Sequence, residues 1–172
     1  MALPTRERVN PVCTKPERAF TLVEVTVATM LVAIFFASIF ELNALCLRYI
    51  DAGKESLAAL QSVQDRSETL RNLAFSDLTT TSFVQNLMTT PANPAPFSQK
   101  ATEVVKISTY PTASGVTQFT RSPNGSVITN SVASALGTGL VKVDVSVSWT
   151  MTLGRRARIE QTSSIVSNGT KK

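Results

Sequence analysis

Apolar and polar residues follow three different rhythms along this chain, and each predicts a different element. From Phe20 to Phe40 the sequence FTLVEVTVATMLVAIFFASIF has 16 apolar residues among 21 and a single ionisable group, Glu24. As a helix it would be apolar around its whole circumference rather than along one stripe. At 1.5 Å per residue it would span roughly 32 Å, against about 30 Å for the hydrocarbon core of a bilayer. A buried core helix is the competing account. With only 172 residues, however, the chain has too little mass to enclose such a helix, so a membrane span is predicted.

Beyond the span the rhythm becomes amphipathic. Leu42, Leu45, Tyr49, Ala52, Ser56, Leu60, Val63, Ser67, Leu70 and Ala74 step by threes and fours. Charges of both signs lie between them, from Arg48 and Asp51 to Arg66, Glu68 and Arg71, which predicts a wet side and a packing side. No proline interrupts, and Gly53 costs only about 1 kcal/mol, so the helix is expected to run on over 41–75, ending near Asn72 or Phe75. An independent juxtamembrane coiled coil fits the same spacing. Residues 76–100, rich in threonine and proline, read as a connector with one short packed turn.

Over 101–172 the period switches to two. Strands are predicted at Glu103 to Tyr110, Gly115 to Arg121 and Ser126 to Asn130, the last two joined by a turn at Ser122-Pro123-Asn124-Gly125. The clearest is Leu140 to Met151: Val141, Val143, Val145, Val147 and Trp149 share one face, and Lys142, Asp144, Ser146, Ser148 and Thr150 the other. A turn at Leu153-Gly154-Arg155 then allows Arg156 to Val166 to pair back. The fold class that follows is α+β: a long N-terminal transmembrane-plus-amphipathic helix packed on a small C-terminal antiparallel sheet.

Composition sharpens this picture mainly by exclusion. The chain has no histidine, which removes the commonest general base and metal ligand, and its two cysteines, Cys13 and Cys46, are too few for a thiolate metal site or a disulfide framework. Cys46 reads as a small apolar packing residue. Past residue 75 the acids Asp77, Glu103, Asp144 and Glu160 are scattered and fall mostly on expected polar faces, so no catalytic residue, enzyme activity, cofactor, metal or small-molecule substrate is predicted. Arg155, Arg156 and Arg158 with Lys171 and Lys172 form a basic patch lacking interleaved aromatics, and a nucleic-acid partner is not expected from it. Asn124-Gly125-Ser126 and Asn168-Gly169-Thr170 fit a glycosylation pattern but read first as turns.

The net charge of +5 is unevenly placed. Arg6, Arg8, Lys15 and Arg18 precede the span against only Glu7 and Glu17, whereas Arg48 and Lys54 are the first cations after it. Positive-inside bias holds the N-terminus in the cytoplasm and sends the C-terminal part across. An ordinary secretory signal has a shorter apolar stretch and a small-x-small cleavage site after it, which this sequence lacks.

The string Lys15-Pro16-Glu17-Arg18-Ala19-Phe20-Thr21-Leu22-Val23-Glu24-Val25 resembles the leader of type IV pilins and type II secretion pseudopilins. Ala19 stands where that family usually has glycine, and keeps the position small. The resemblance implies a basic leader over 1–19, an assembly helix over 20–40, cleavage between Ala19 and Phe20 by a prepilin peptidase, and N-methylation of Phe20. It also implies pairing of Glu24 with the Phe20 amine of a neighbouring subunit. A carboxylate inside an apolar helix costs about 2.5–3.5 kcal/mol on insertion scales, so Glu24 is a functional candidate on physical grounds too. Its other account is that it snorkels to the headgroups. The expected partners are the peptidase, other pilin or pseudopilin subunits, the assembly platform and membrane lipid. The expected location is the bacterial inner membrane, single-pass, with the distal domain periplasmic and a filament formed after assembly. Removing the leader would take away Cys13 and leave a side-chain charge of +3. An unprocessed, membrane-anchored binding domain on the outer face is the alternative.

Overall fold

A computed structural model describes residues 20–94, 96–136 and 139–169. The leader, with Ala19, and the terminal Thr170, Lys171 and Lys172 lie outside the described residues. The chain divides into two compact units, 1–43 and 44–172. Helix α1 (Leu22–Asn72) contributes its first 22 residues to one and the rest to the other.

In the first unit every described residue is exposed, apolar side chains included. The four hydroxyls of the apolar segment all find acceptors in their own chain. Thr26 donates to the Leu22 carbonyl at 2.8 Å, Thr29 to Thr26 at 2.9 Å, Ser38 to Ile34 at 2.9 Å, and Thr21 to Glu24 at 3.3 Å. Such back-bonding hides a hydroxyl from apolar surroundings that offer no partner.

The second unit is a helix-on-sheet domain. Five strands, β1 (Thr102–Thr109), β2 (Val116–Arg121), β3 (Val127–Ser131), β4 (Leu140–Thr150) and β5 (Ala157–Ser167), form one antiparallel sheet in the order β3-β2-β1-β4-β5. Each predicted strand forms, within a residue or so of its expected ends. Asn124-Gly125 makes the β2–β3 turn: Gly125 takes φ +86°, and the Asn124 side chain accepts from the Ser126 amide and hydroxyl. Gly154, at φ +73°, followed by Arg155 at +48°, turns β4 into β5, and the Met151 amide closes that loop on the Arg156 carbonyl.

Register explains the core. Val105 stands between Phe119 on β2 and Val145 on β4, and Ile107 between Thr117 and Val143. With Val141, Val147 and Trp149 these residues form the apolar face of the sheet, and Ala59, Val63 and Leu70 of α1 join the same core. The polar positions of β4 point the other way, so its predicted two-faced character holds.

Two expectations need correcting. The buried stripe of α1 is Ala52, Ala59, Ser62, Val63, Arg66 and Leu70. Leu42, Leu45, Tyr49, Ser56, Leu60 and Ala74 of the expected stripe are exposed, and Arg66, expected on the wet side, is buried. The core-facing side of α1 is thus carried largely by small residues, Ala52, Ala59 and Ser62, beside Val63, Arg66 and Leu70. Residues 76–100 carry more structure than one packed turn: helix α2 (Phe75–Thr79), helix α3 (Thr81–Thr89) and a 3₁₀ turn (Pro96–Gln99). Leu78 of α2 enters the core with Val84 and Met88 of α3, which are four residues apart on one helix face, as does Phe97, which meets Trp149 edge-on at 5.5 Å. Cys46 is exposed rather than packed within the chain.

Candidate functional site

The residues singled out by the sequence start α1. Phe20 is 81% exposed, and Thr21 is the residue before the first helical position. The Glu24 amide donates to the Thr21 hydroxyl at 3.2 Å, and the Thr21 amide donates to Glu24 Oε2 at 3.2 Å. This is a reciprocal capping box, in which a threonine before the helix and a glutamate three residues later each satisfy one orphan amide. This role adds to the pairing and snorkelling expected for Glu24, and the Thr-x-x-Glu spacing carries its signature. Among the described residues both Thr21 bonds go to Oε2, and Oε1 accepts none. By length and composition, α1 is sufficient to cross a membrane.

In the second unit the sequence missed a buried ion pair. Arg66 of α1 donates through Nε to Glu103 Oε1 at 2.5 Å and through Nη2 to Oε2 at 3.3 Å. It also donates to the Leu87 carbonyl at 3.2 Å and the Thr90 carbonyl at 2.6 Å, at the C-terminal end of α3. One guanidinium therefore joins α1, β1 and α3. A charge-assisted, two-pronged contact of this kind is the strongest that side chains make. Glu103 also faces Arg121 across β1 and β2; Arg121 is buried too, and its Nε has no hydrogen-bond partner. The signals were present. Arg66 continues the three-and-four spacing of Ala59, Val63 and Leu70, and Glu103 keeps the period of two with Val105 and Ile107.

A second carboxylate fastens the β4–β5 turn. Glu55 of α1 accepts from the Thr152 amide at 3.0 Å and from the Thr152 hydroxyl, and Lys100 lies 3.6 Å away. Burial would push this carboxyl up, but the Thr152 hydroxyl and amide, then Lys100, outweigh it and hold it below its ordinary 4.5. Beside it, Asp51, Lys54, Ala58, Pro96 and Phe97 line a cleft of about 400 Å³. On the opposite face of the sheet Asp144 is bonded by Lys142 at 2.8 Å and by Ser163. Burial raises its pKa; Lys142, Ser163 and Lys106 together hold it below 3.8. Both carboxylates are thus occupied by donors, the arrangement of anchors rather than of a general base, which needs a free lone pair and a pKa near neutrality. Among the described residues no group of three or more cysteine or acidic side chains gathers to hold a metal. Arg155, Arg156 and Arg158 are exposed around the β4–β5 turn. No protein-family model, curated protein or solved structure matches the chain.

Replacing Arg66 by methionine should lower the unfolding free energy by about 3–5 kcal/mol, because it strands the Glu103 carboxylate in the core. Adding Glu103→Leu should restore a good part of the loss. Urea unfolding of the full chain in detergent, followed through Trp149 fluorescence, measures both; a change below about 1 kcal/mol for Arg66→Met would mean the pair bears little load. The Glu55 anchor has a pH signature. Its folded pKa is depressed, so its contribution is present above the ordinary carboxylate value and lost as the pH falls through the folded one. Glu55→Gln should therefore lose less of its urea midpoint than the parent between neutral pH and about pH 4, whereas parallel losses in both proteins would contradict this assignment.

Proposed function

We propose that this chain is a filament subunit of the pilin and pseudopilin kind, held in the inner membrane by the apolar part of α1 and assembled through it. The observation that carries the reading is the state of Glu24. It is the only ionisable group in an otherwise apolar, fully exposed helical segment, and one of its oxygens is fixed by Thr21 while the other accepts no bond from the described residues. A carboxylate fixed in the first turn, beside the residue whose amine cleavage would free, is suited to pair with that amine on a neighbouring copy. Methylation of an amine keeps its positive charge, so the pairing would survive modification. The self-bonded hydroxyls support the same reading, since they let this surface lie against lipid or against other apolar helices without orphaned donors. The Arg66-braced sheet domain would then be the part carried outside the membrane, with the N-terminus left in the cytoplasm by the charge bias of the leader.

Intact mass of the membrane-extracted protein, co-produced with a prepilin peptidase, tests processing. The expected species begins at Phe20 and carries one added methyl group, and a chain still beginning at Met1 would favour the unprocessed, anchored binding domain instead. Charge and capping at Glu24 can be separated by Glu24→Gln, because glutamine still serves a capping box but carries no charge. A hydrogen bond to a charged group contributes about 1.5–3 kcal/mol. The variant is therefore expected to insert normally and to enter filaments about tenfold less or worse, and normal incorporation would remove the Glu24 charge from the mechanism.

A further inference from the structure

The two edges of the sheet are treated differently. Edge β3 is five residues long, its register with β2 shifts between Gln118 and Phe119, and α3 lies against β2 and β3. Shortness, a bulge and a covering helix are the usual means of closing an edge to strand addition. Edge β5 has none of them. It runs for eleven residues, pairs with β4 in unbroken register from Ala157 to Ser167, and contains neither proline nor glycine. It also carries two isoleucines on the wet face of the sheet, Ile159 at 60% and Ile165 at 52% exposure, opposite Ser148 and Lys142 of β4.

We propose that β5 docks against β5 of a second copy of this chain, antiparallel, about a two-fold axis passing through Thr162. The pattern along the strand selects both the occupant and the register. A two-fold contact requires a surface that is complementary to itself. With the axis at Thr162, Ile159 stands opposite Ile165 of the partner subunit, and Ile165 opposite Ile159 of the partner subunit, so all four exposed isoleucines are covered in two cross-strand pairs. Gln161 meets Ser163 of the partner subunit, Glu160 meets Ser164 of the partner subunit, and Arg158 meets Val166 of the partner subunit. No like charges oppose one another, and Arg155 and Arg156 lie beyond the paired stretch. Moving the axis to Glu160 would set two carboxylates face to face; moving it to Gln161 would set Ile159 opposite a serine and Ile165 opposite only an alanine, and moving it to Ser163 or Ser164 would leave isoleucines opposite polar residues or unopposed. The pairing closes on two copies and is independent of the filament reading, so either can fail without the other.

Cysteine cross-linking of the full chain in detergent tests it, in a background carrying Cys13→Ser and Cys46→Ser. Opposed residues in an antiparallel pair have Cα atoms about 4.5–5.5 Å apart, within the range a disulfide bridges. Hydrogen-bonded and non-hydrogen-bonded pairs alternate along such a ladder, and Thr162 and Ile159 are three residues apart, so one of the two positions has the more favourable geometry. Under mild oxidation, Thr162→Cys alone, or Ile159→Cys together with Ile165→Cys, should give a covalent dimer at least tenfold more abundant than Asn130→Cys on β3. Carrying Ile159→Lys and Ile165→Lys alongside Thr162→Cys should cut that yield by tenfold or more with Trp149 emission unchanged. Dimer yields no higher than the β3 control from both tests, or a Thr162→Cys dimer indifferent to the two lysines in a folded protein, would overturn the proposal.

Discussion

The sheet domain depends on one buried charge pair. Arg66 enters the core from α1 at a position where an apolar residue would have sufficed for packing, and it is held there by Glu103 and by the last carbonyls of α3. An apolar residue would stabilise the core without specifying how the pieces meet. A guanidinium with fixed hydrogen-bond directions accepts only one arrangement of α1, β1 and α3, because any slip leaves a charge stranded away from water. The short helices α2 and α3 have no side-chain caps of their own and bury few residues, so this outside donor at the end of α3 gives that segment a defined seat.

Around this pair the domain divides its labour by residue size. The sheet supplies bulk through its row of valines with Phe119 and Trp149, while α1 supplies small residues at Ala52, Ala59 and Ser62. Across that seam the Arg66 side chain reaches Glu103 with both prongs engaged. Glu55 performs a related task at the other end, where it satisfies the Thr152 amide and so fixes the loop that returns β4 into β5.

Much of this was legible from residue pattern. The period of two along Leu140 to Met151 identified both faces of β4, because valine and tryptophan alternate with polar groups without exception. Asn124-Gly125 and Gly154 announced their turns, because few other residues accept positive φ. The stretch 76–100 is harder to read because its threonines suggest irregular chain, whereas α2 and α3, with five and nine residues, are too short to repeat an apolar stripe many times. Arg66 and Glu103 are hard to place for a more general reason: polarity alone suggests exposure. A charge can follow an apolar period when its partner sits on another element, and here that partner is 37 positions away along the chain. Glu24 stands out by its charge, which masks a capping role whose two residues, Thr21 and Glu24, are both plain in the sequence.

The self-bonded hydroxyls of the apolar segment carry a geometric consequence. With Thr26, Thr29 and Ser38 turned onto their own backbone, the outer surface of the helix from Val25 to Phe40 has almost no azimuthal preference. In hydrocarbon such a helix could spin about its long axis at little cost, and a neighbour could approach from any side. Height is different, because Glu24 marks a single level along the axis. A helix packed against such a segment would be distinguished by its depth rather than by its direction.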